Sequence, residues 1–147
     1  MLRKVVPVIG HIVQTTSQAD ASSYRDGGDG WTALEVLGHL RDWDALFLER
    51  AKMTMTQDYP DLPNPDPAPL AIERQYNAQD WRTVCAEWVQ RREVLVAFLE
   101  SIGDDDWERA ASHPKRGRFT LNDQLLLTTW HDLNHVEQMA CILDEKQ

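Results

Sequence analysis

Between residues 60 and 69 the chain places five of its seven prolines, Pro60, Pro63, Pro65, Pro67 and Pro69, among aspartates and an asparagine. No other stretch limits the fold as much. Each proline lacks a backbone N–H and crowds the turn before it, so the segment is expected to exclude helix. It is too long for a simple turn between two packed elements, and connections of this length usually cross the end of a bundle or cover a site.

On both sides of it the apolar residues keep helical spacing. Residues 2–23 place Leu2, Val5, Ile9, Ile12 and Val13 on one face and predict a first helix. Arg3, Lys4 and the apolar residues after them imitate a secretory leader, but Pro7 and His11 interrupt the run, and a helix is the better reading. Asp26, Gly27, Gly28, Asp29 and Gly30 form a breaker cluster that ends it. Thr32 and Glu35 then have the spacing of a capping box, and Val36, Leu40, Trp43, Phe47 and Ala51 carry a core stripe over residues 32–56. Past the prolines, a short helical piece is expected at 71–76. Asp80 can cap a third long helix reaching 102, with Val84, Trp88, Leu95, Phe98 and Leu99 inward, Arg91 and Arg92 on a solvated face, and Gly103 as its stop. A loop over 104–119 carries Asp104, Asp105 and Asp106, then His113, Lys115, Arg116 and Arg118. A fourth helix runs over 120–144. No alternating apolar pattern is visible, so the chain reads as all-α, one four-helix bundle domain with a long proline-rich loop between its second and third helices.

Charge narrows the partners. The 147 residues include 24 acidic and 15 basic side chains, a formal charge of −9. Nucleic acid and anionic membrane surfaces need a cationic face that such a chain can hardly assemble. No apolar run is long enough to span a bilayer. Cys85 and Cys141 form no disulfide framework and read as buried apolar residues in a reducing, cytoplasmic setting.

Histidine spacing supplies the chemistry. His131 and His135 stand at i and i+4, on one helical face one turn apart, a separation at which two imidazoles reach one metal ion. At about 100° per residue, His135 falls inside the apolar arc of its helix and His131 at its border, while His39 borders the stripe of the second helix. Three imidazoles meeting in a cleft with an open fourth position form the usual shell of a catalytic zinc. Asp132 also falls on the apolar face, where an unpaired carboxylate is costly. It could orient a ligand imidazole or act as a base beside bound water. Gln138 and Asp42 are weaker candidates for supporting the ligands. His11 and His113 have no partners at useful spacing and read as ordinary. Trp43 and Trp88 read as core. Lys115, Arg116 and Arg118 form a basic cluster that either lies on the surface or receives an anionic substrate at the cleft mouth. Leu126, Trp130 and Leu133 fall opposite the core face of the fourth helix and are consistent with a second buried surface, either between two copies or packed inside the same chain.

Residues 31–43, which open on Trp31 and Thr32 and carry His39, resemble the second-helix signature of the DinB-like superfamily. Residues 130–138, with His131, Asp132, His135 and Gln138 in an HDxxHxxQ arrangement, resemble its fourth-helix segment, and 113–121 resemble the loop that precedes it. The resemblance spans 31–142. It implies a four-helix bundle of variant up-and-down topology, a divalent metal, zinc or nickel, on His39, His131 and His135, and in many members a homodimer. It also implies relatives that include transferases and isomerases dependent on thiols such as bacillithiol or mycothiol.

The leading expectation is therefore a metal-dependent enzyme that activates water or a low-molecular-weight thiol against a small-molecule substrate, as a hydrolase or thiol transferase. The alternatives are a non-catalytic metal-binding or ligand-sensing bundle, for example a stress-related one, and a dimeric module whose site has lapsed.

Overall fold

The computed structural model describes residues 1–144. Helix α1, Leu2–Thr15, buries Leu2, Val5, Ile9 and Val13. The single helix expected over 2–23 is broken at Thr16, whose backbone is extended, and α2, Gln18–Ser23, starts afresh. Hydroxyls cause the break: Ser17 Oγ accepts from the Asp20 N–H at 3.1 Å and so acts as a new N-cap instead of continuing a helix.

Helix α3, Ala33–Thr56, opens on the expected capping box, with Thr32 Oγ1 accepting from Glu35 N at 3.1 Å and Glu35 Oε2 accepting from Thr32 N at 2.8 Å. The proline-rich segment is only partly non-helical. Helix α4, Pro67–Glu73, lies within it, upstream of the piece expected at 71–76. Pro67 and Pro69 sit in the first turn, where backbone N–H groups have no intrahelical acceptor to lose, and Asp66 caps the Ala68 N–H at 3.2 Å. Asp80 caps α5, Trp81–Glu100, as expected.

The connection read as plain loop contains a β-hairpin. Strands β1, Ala110–His113, and β2, Gly117–Thr120, pair antiparallel with Ala111 opposite Phe119 and His113 opposite Gly117, which takes the left-handed φ of 71° at the turn. β1 reads Ala-Ala-Ser-His and β2 has Phe119 as its one large apolar residue, so neither alternates apolar with polar side chains, which is why no such pattern was visible. The hairpin is joined to the proline-rich segment. Ser112 N donates to Pro60 O at 2.8 Å, and Leu62 N donates to Ser112 O at 2.9 Å. Thr120 and Asp123 then cap each other to start α6, Leu121–Asp144.

Helices α1, α3, α5 and α6 form the bundle, with α3 packed on both α5 and α6. Their apolar contacts fall into two groups along its length. One gathers Ile9, Leu37, Leu40, Trp88, Met139 and Ile142; the other gathers Leu2, Phe47, Ala51, Leu95, Leu99 and Leu121. Between these groups, along α3, α5 and α6, lie Asp44, Arg92, Thr128, His131 and Asp132. The bundle thus carries a polar layer at mid-height. No helix among the described residues is long and apolar enough to cross a membrane.

Candidate metal centre

Arg92 anchors that layer. Its side chain is 1% exposed, and its guanidinium spans two carboxylates: Nε and Nη2 donate to Asp44 at 2.7 and 2.8 Å, and Nη2 also donates to Asp132 Oδ1 at 2.8 Å. The Trp88 ring lies 5.0 Å away. The solvated face expected for Arg92 is therefore a buried ion cluster, and only Arg91 is partly exposed. One guanidinium serves two acids. Burial, opposed by Arg92, pushes the Asp44 carboxyl up to about 6 and Asp132 upward as well. Asp132, expected to orient an imidazole or act as a base, has both oxygens held by Arg92 instead.

Beside this cluster the three histidines meet. His39 comes from the second turn of α3, and His131 and His135 from successive turns of α6. Their candidate ligand atoms all lie within 4.8 Å of one another. His39 Nε2 and His131 Nε2 are 2.8 Å apart, and the His131 and His135 ring centroids are 4.4 Å apart. Gln138 sets the third ring. Its Nε2 donates to Asp26 Oδ2 at 2.7 Å, which turns its Oε1 toward His135 Nδ1 at 2.8 Å. The amide oxygen can only accept, so Nδ1 carries the proton and Nε2 keeps its lone pair. Aromatic rings hold the others: Trp43 lies 3.9 Å from His39 between centroids, and Phe47 meets His131 edge-on at 5.3 Å.

All three imidazoles are held neutral. Burial, reinforced by His135, pushes His39 down to about 3; burial with His135 and His39 nearby pushes His131 to about 2; burial also lowers His135. Neutral rings with converging nitrogens are the donor set a borderline divalent cation takes. The buried Nδ1 atoms of His39 and His131 have no hydrogen-bond partner among the described residues. Asp42 does not reach the histidines. Burial opposes its ionisation, but hydrogen bonds from Arg41, Arg74 and Tyr76 prevail and hold it at about 2.

A cavity of about 490 Å³ opens on His39, His131 and His135, walled by Trp31, Trp43 and Lys115. Beside it a second cavity, of about 450 Å³, reaches His131 past Arg50, His113 and Arg116. His113, read as ordinary, is a buried residue of this wall. Arg50 went unnoticed as well, although it stands seven residues after Trp43 and three after Phe47, on the stripe that faces the core. Cys85 is buried as expected, whereas Cys141 is exposed.

A family model described as the DinB superfamily matches residues 8–139. The chain belongs to the DinB superfamily. Among its DinB relatives, YfiT of Bacillus subtilis is 29% identical over 129 residues, covering 87% of this chain and 71% of YfiT. Protein OB0782 of Oceanobacillus iheyensis is 24% identical over 136 residues, covering 92% of this chain and 77% of its own. Both carry the name "putative metal-dependent hydrolase". The solved structure of YfiT, described as a probable metal-dependent hydrolase with an unusual four-helix bundle topology, superposes with a TM-score of 0.89 at 23% identity, over 99% of this chain and 83% of that one. At that identity the likeness establishes the DinB bundle as the fold.

Proposed function

We propose that this DinB protein is a metal-dependent enzyme in which His39, His131 and His135 hold one divalent cation, zinc or nickel, facing a small-molecule substrate. The observation that carries the proposal is the convergence of three neutral imidazoles from two helices within 4.8 Å at the mouth of a cavity. A bound cation of this kind lowers the pKa of water or of a low-molecular-weight thiol, giving a nucleophile at neutral pH for hydrolysis or thiol transfer. The chain's own residues prepare the site. Gln138 fixes the His135 tautomer, Trp43 and Phe47 restrict the His39 and His131 rings, and the Arg92 cluster pins α6 to α3 and α5 at the level of the ligands. The metal-dependent names of the relatives support the same reading.

Elemental analysis of purified protein tests it. About one divalent metal per chain is expected, falling to a small fraction in His131→Ala. A chain with no metal affinity, and equal stability with and without added zinc or nickel, would sink the reading. With metal established, turnover on ester and thiol-acceptor panels that disappears on metal removal distinguishes an enzyme from a non-catalytic sensor.

A further inference from the structure

Arg50 is a buried cation whose hydrogen-bond partners are all neutral. It is 3% exposed, and its Nε and Nη2 donate to Pro63 O at 2.9 and 2.6 Å and Nη2 to Asn64 Oδ1 at 3.1 Å, all neutral acceptors. Among the described residues no carboxylate is in ion-pair contact with Arg50, Lys115 or Arg116; exposed cations such as Arg82 and Arg118 also have none, but the other buried arginines, Arg41 and Arg92, are both paired. Buried charges are normally matched by a partner, and a chain of charge −9 has acids to spare. Yet no acidic residue lines the 450 Å³ cavity where Arg50, His113, Lys115 and Arg116 come together. Burial and then the nearby Arg116, opposed by Glu49, draw the Arg50 guanidinium down to about 10, which leaves it charged at neutral pH, and burial, followed by Arg50, Arg116 and Lys115, depresses His113.

The cavity is also built to hold a group still. Arg50 is fixed by the proline-rich segment, so its guanidinium does not have to be ordered on binding. Lys115 and Arg116 sit at the tip of the hairpin that Ser112 ties to the same segment. Phe47, Leu127 and Trp130 give the walls an apolar part. Trp43, Asn64, Lys115 and His131 line both this cavity and the one that opens on the three histidines. Asp66, on the metal-side wall, is engaged in capping α4.

We propose that Arg50, Lys115 and Arg116 bind an anionic oxygen group, a carboxylate or a phosphate, carried by the substrate, and so place the remainder of that molecule past Trp43 against His39, His131 and His135. A planar guanidinium and an ammonium facing one pocket match the oxygens of either group. The substrate class is a small organic acid or phosphate ester. This deepens the metal-dependent reading above and rests on it for the second half of the placement.

The test uses metal-free full-length protein, titrated calorimetrically and by tryptophan fluorescence with inorganic phosphate, butyrate and the neutral isostere butyramide. Phosphate or butyrate is expected to bind in a salt-dependent way and butyramide not to bind; whichever anion binds tighter identifies the group. Lys115→Gln/Arg116→Gln, on an exposed turn that leaves the bundle untouched, is expected to weaken anion binding about tenfold or more, as is Arg50→Gln. Equal binding by the wild type and the hairpin variant, no anion binding, or anion binding that appears only after metal loading and vanishes in His131→Ala would overturn the proposal. Zinc or nickel titration of the same samples separates the two readings. Anion binding without metal uptake overturns the metal and leaves the pocket, and metal uptake without anion binding does the reverse.

Discussion

Removing the Arg92 guanidinium leaves Asp44 and Asp132 facing each other in the interior without a hydrogen-bonded cation, offset only by the weaker influence of Arg91 on Asp44 and of His135 on Asp132. Breaking one side of a buried ion cluster costs about 3–5 kcal/mol, so Arg92→Met is expected to lose that much at pH 7 in urea unfolding. Protonating the stranded carboxyls relieves the penalty, so the loss is expected to shrink toward pH 5, and Asp44→Asn/Asp132→Asn added to Arg92→Met to recover much of it. A pH-independent loss would assign Arg92 to packing alone. The position was legible: Arg92 follows Trp88 by four and precedes Leu95 by three, on the same stripe. What misled was composition, since arginines in a charged helix are usually solvated. Arg50 shows the same conflict. The three histidines were found because their spacing and their periodic phase agreed, whereas nothing local to Asp132 reveals that its partner lies on a helix 40 residues away.

At the scale of elements, local chemistry was readable and long-range pairing was not. The start of α3 was legible because Thr32 and Glu35 satisfy each other's backbone within four residues. The hairpin was not, because β1 owes its place to Pro60 and Leu62, some fifty residues earlier in the chain. Gly38 on α3 shows how tertiary contact overrides propensity. Alanine favours a helix interior over glycine by about 1 kcal/mol. A Cβ at Gly38, however, would lie 2.8 Å from Cγ of the fully buried Tyr76, whose hydroxyl donates to Asp42 at 2.7 Å. The ring cannot move without straining that bond. Gly38→Ala is therefore expected to destabilise by about 1–3 kcal/mol in urea unfolding, against the propensity scale. Stabilisation would show that the 76–78 turn adapts freely and is no fixed backing for His39, the next residue on α3.

The whole molecule joins these scales through protons. The unfolded chain carries histidines that titrate near 6.5, whereas the folded protein holds His39 at about 3 and His131 at about 2. Below pH 6.5 the unfolded state therefore binds protons that the native state refuses, and the stability of metal-free protein falls with pH, each such group contributing about 1.4 kcal/mol per pH unit. Asp44, raised to about 6, works in the opposite sense: between about 6 and 4 the native state keeps a proton that the unfolded chain releases, which returns part of the loss. Asp132, also raised, works in the same sense as Asp44, but the lowered His135 and His113 add to His39 and His131, and four imidazoles outweigh two carboxyls, so metal-free protein is expected to lose about 1–3 kcal/mol between pH 6.5 and 5. A bound metal adds stability that depends on its affinity for the native state alone. With rings already neutral in the metal-free fold, protons do not compete for His39 and His131 in this range. The stability gap between metal-saturated and metal-free samples should accordingly stay open and nearly constant from pH 7 to 5, while both curves descend. Ligands with ordinary histidine pKa values would forfeit the metal, and close the gap, as pH dropped through 6. Thermal melts of the two samples across that interval decide the matter: parallel curves mean that burial has prepared the imidazoles before any ion arrives, and converging curves mean that it has not.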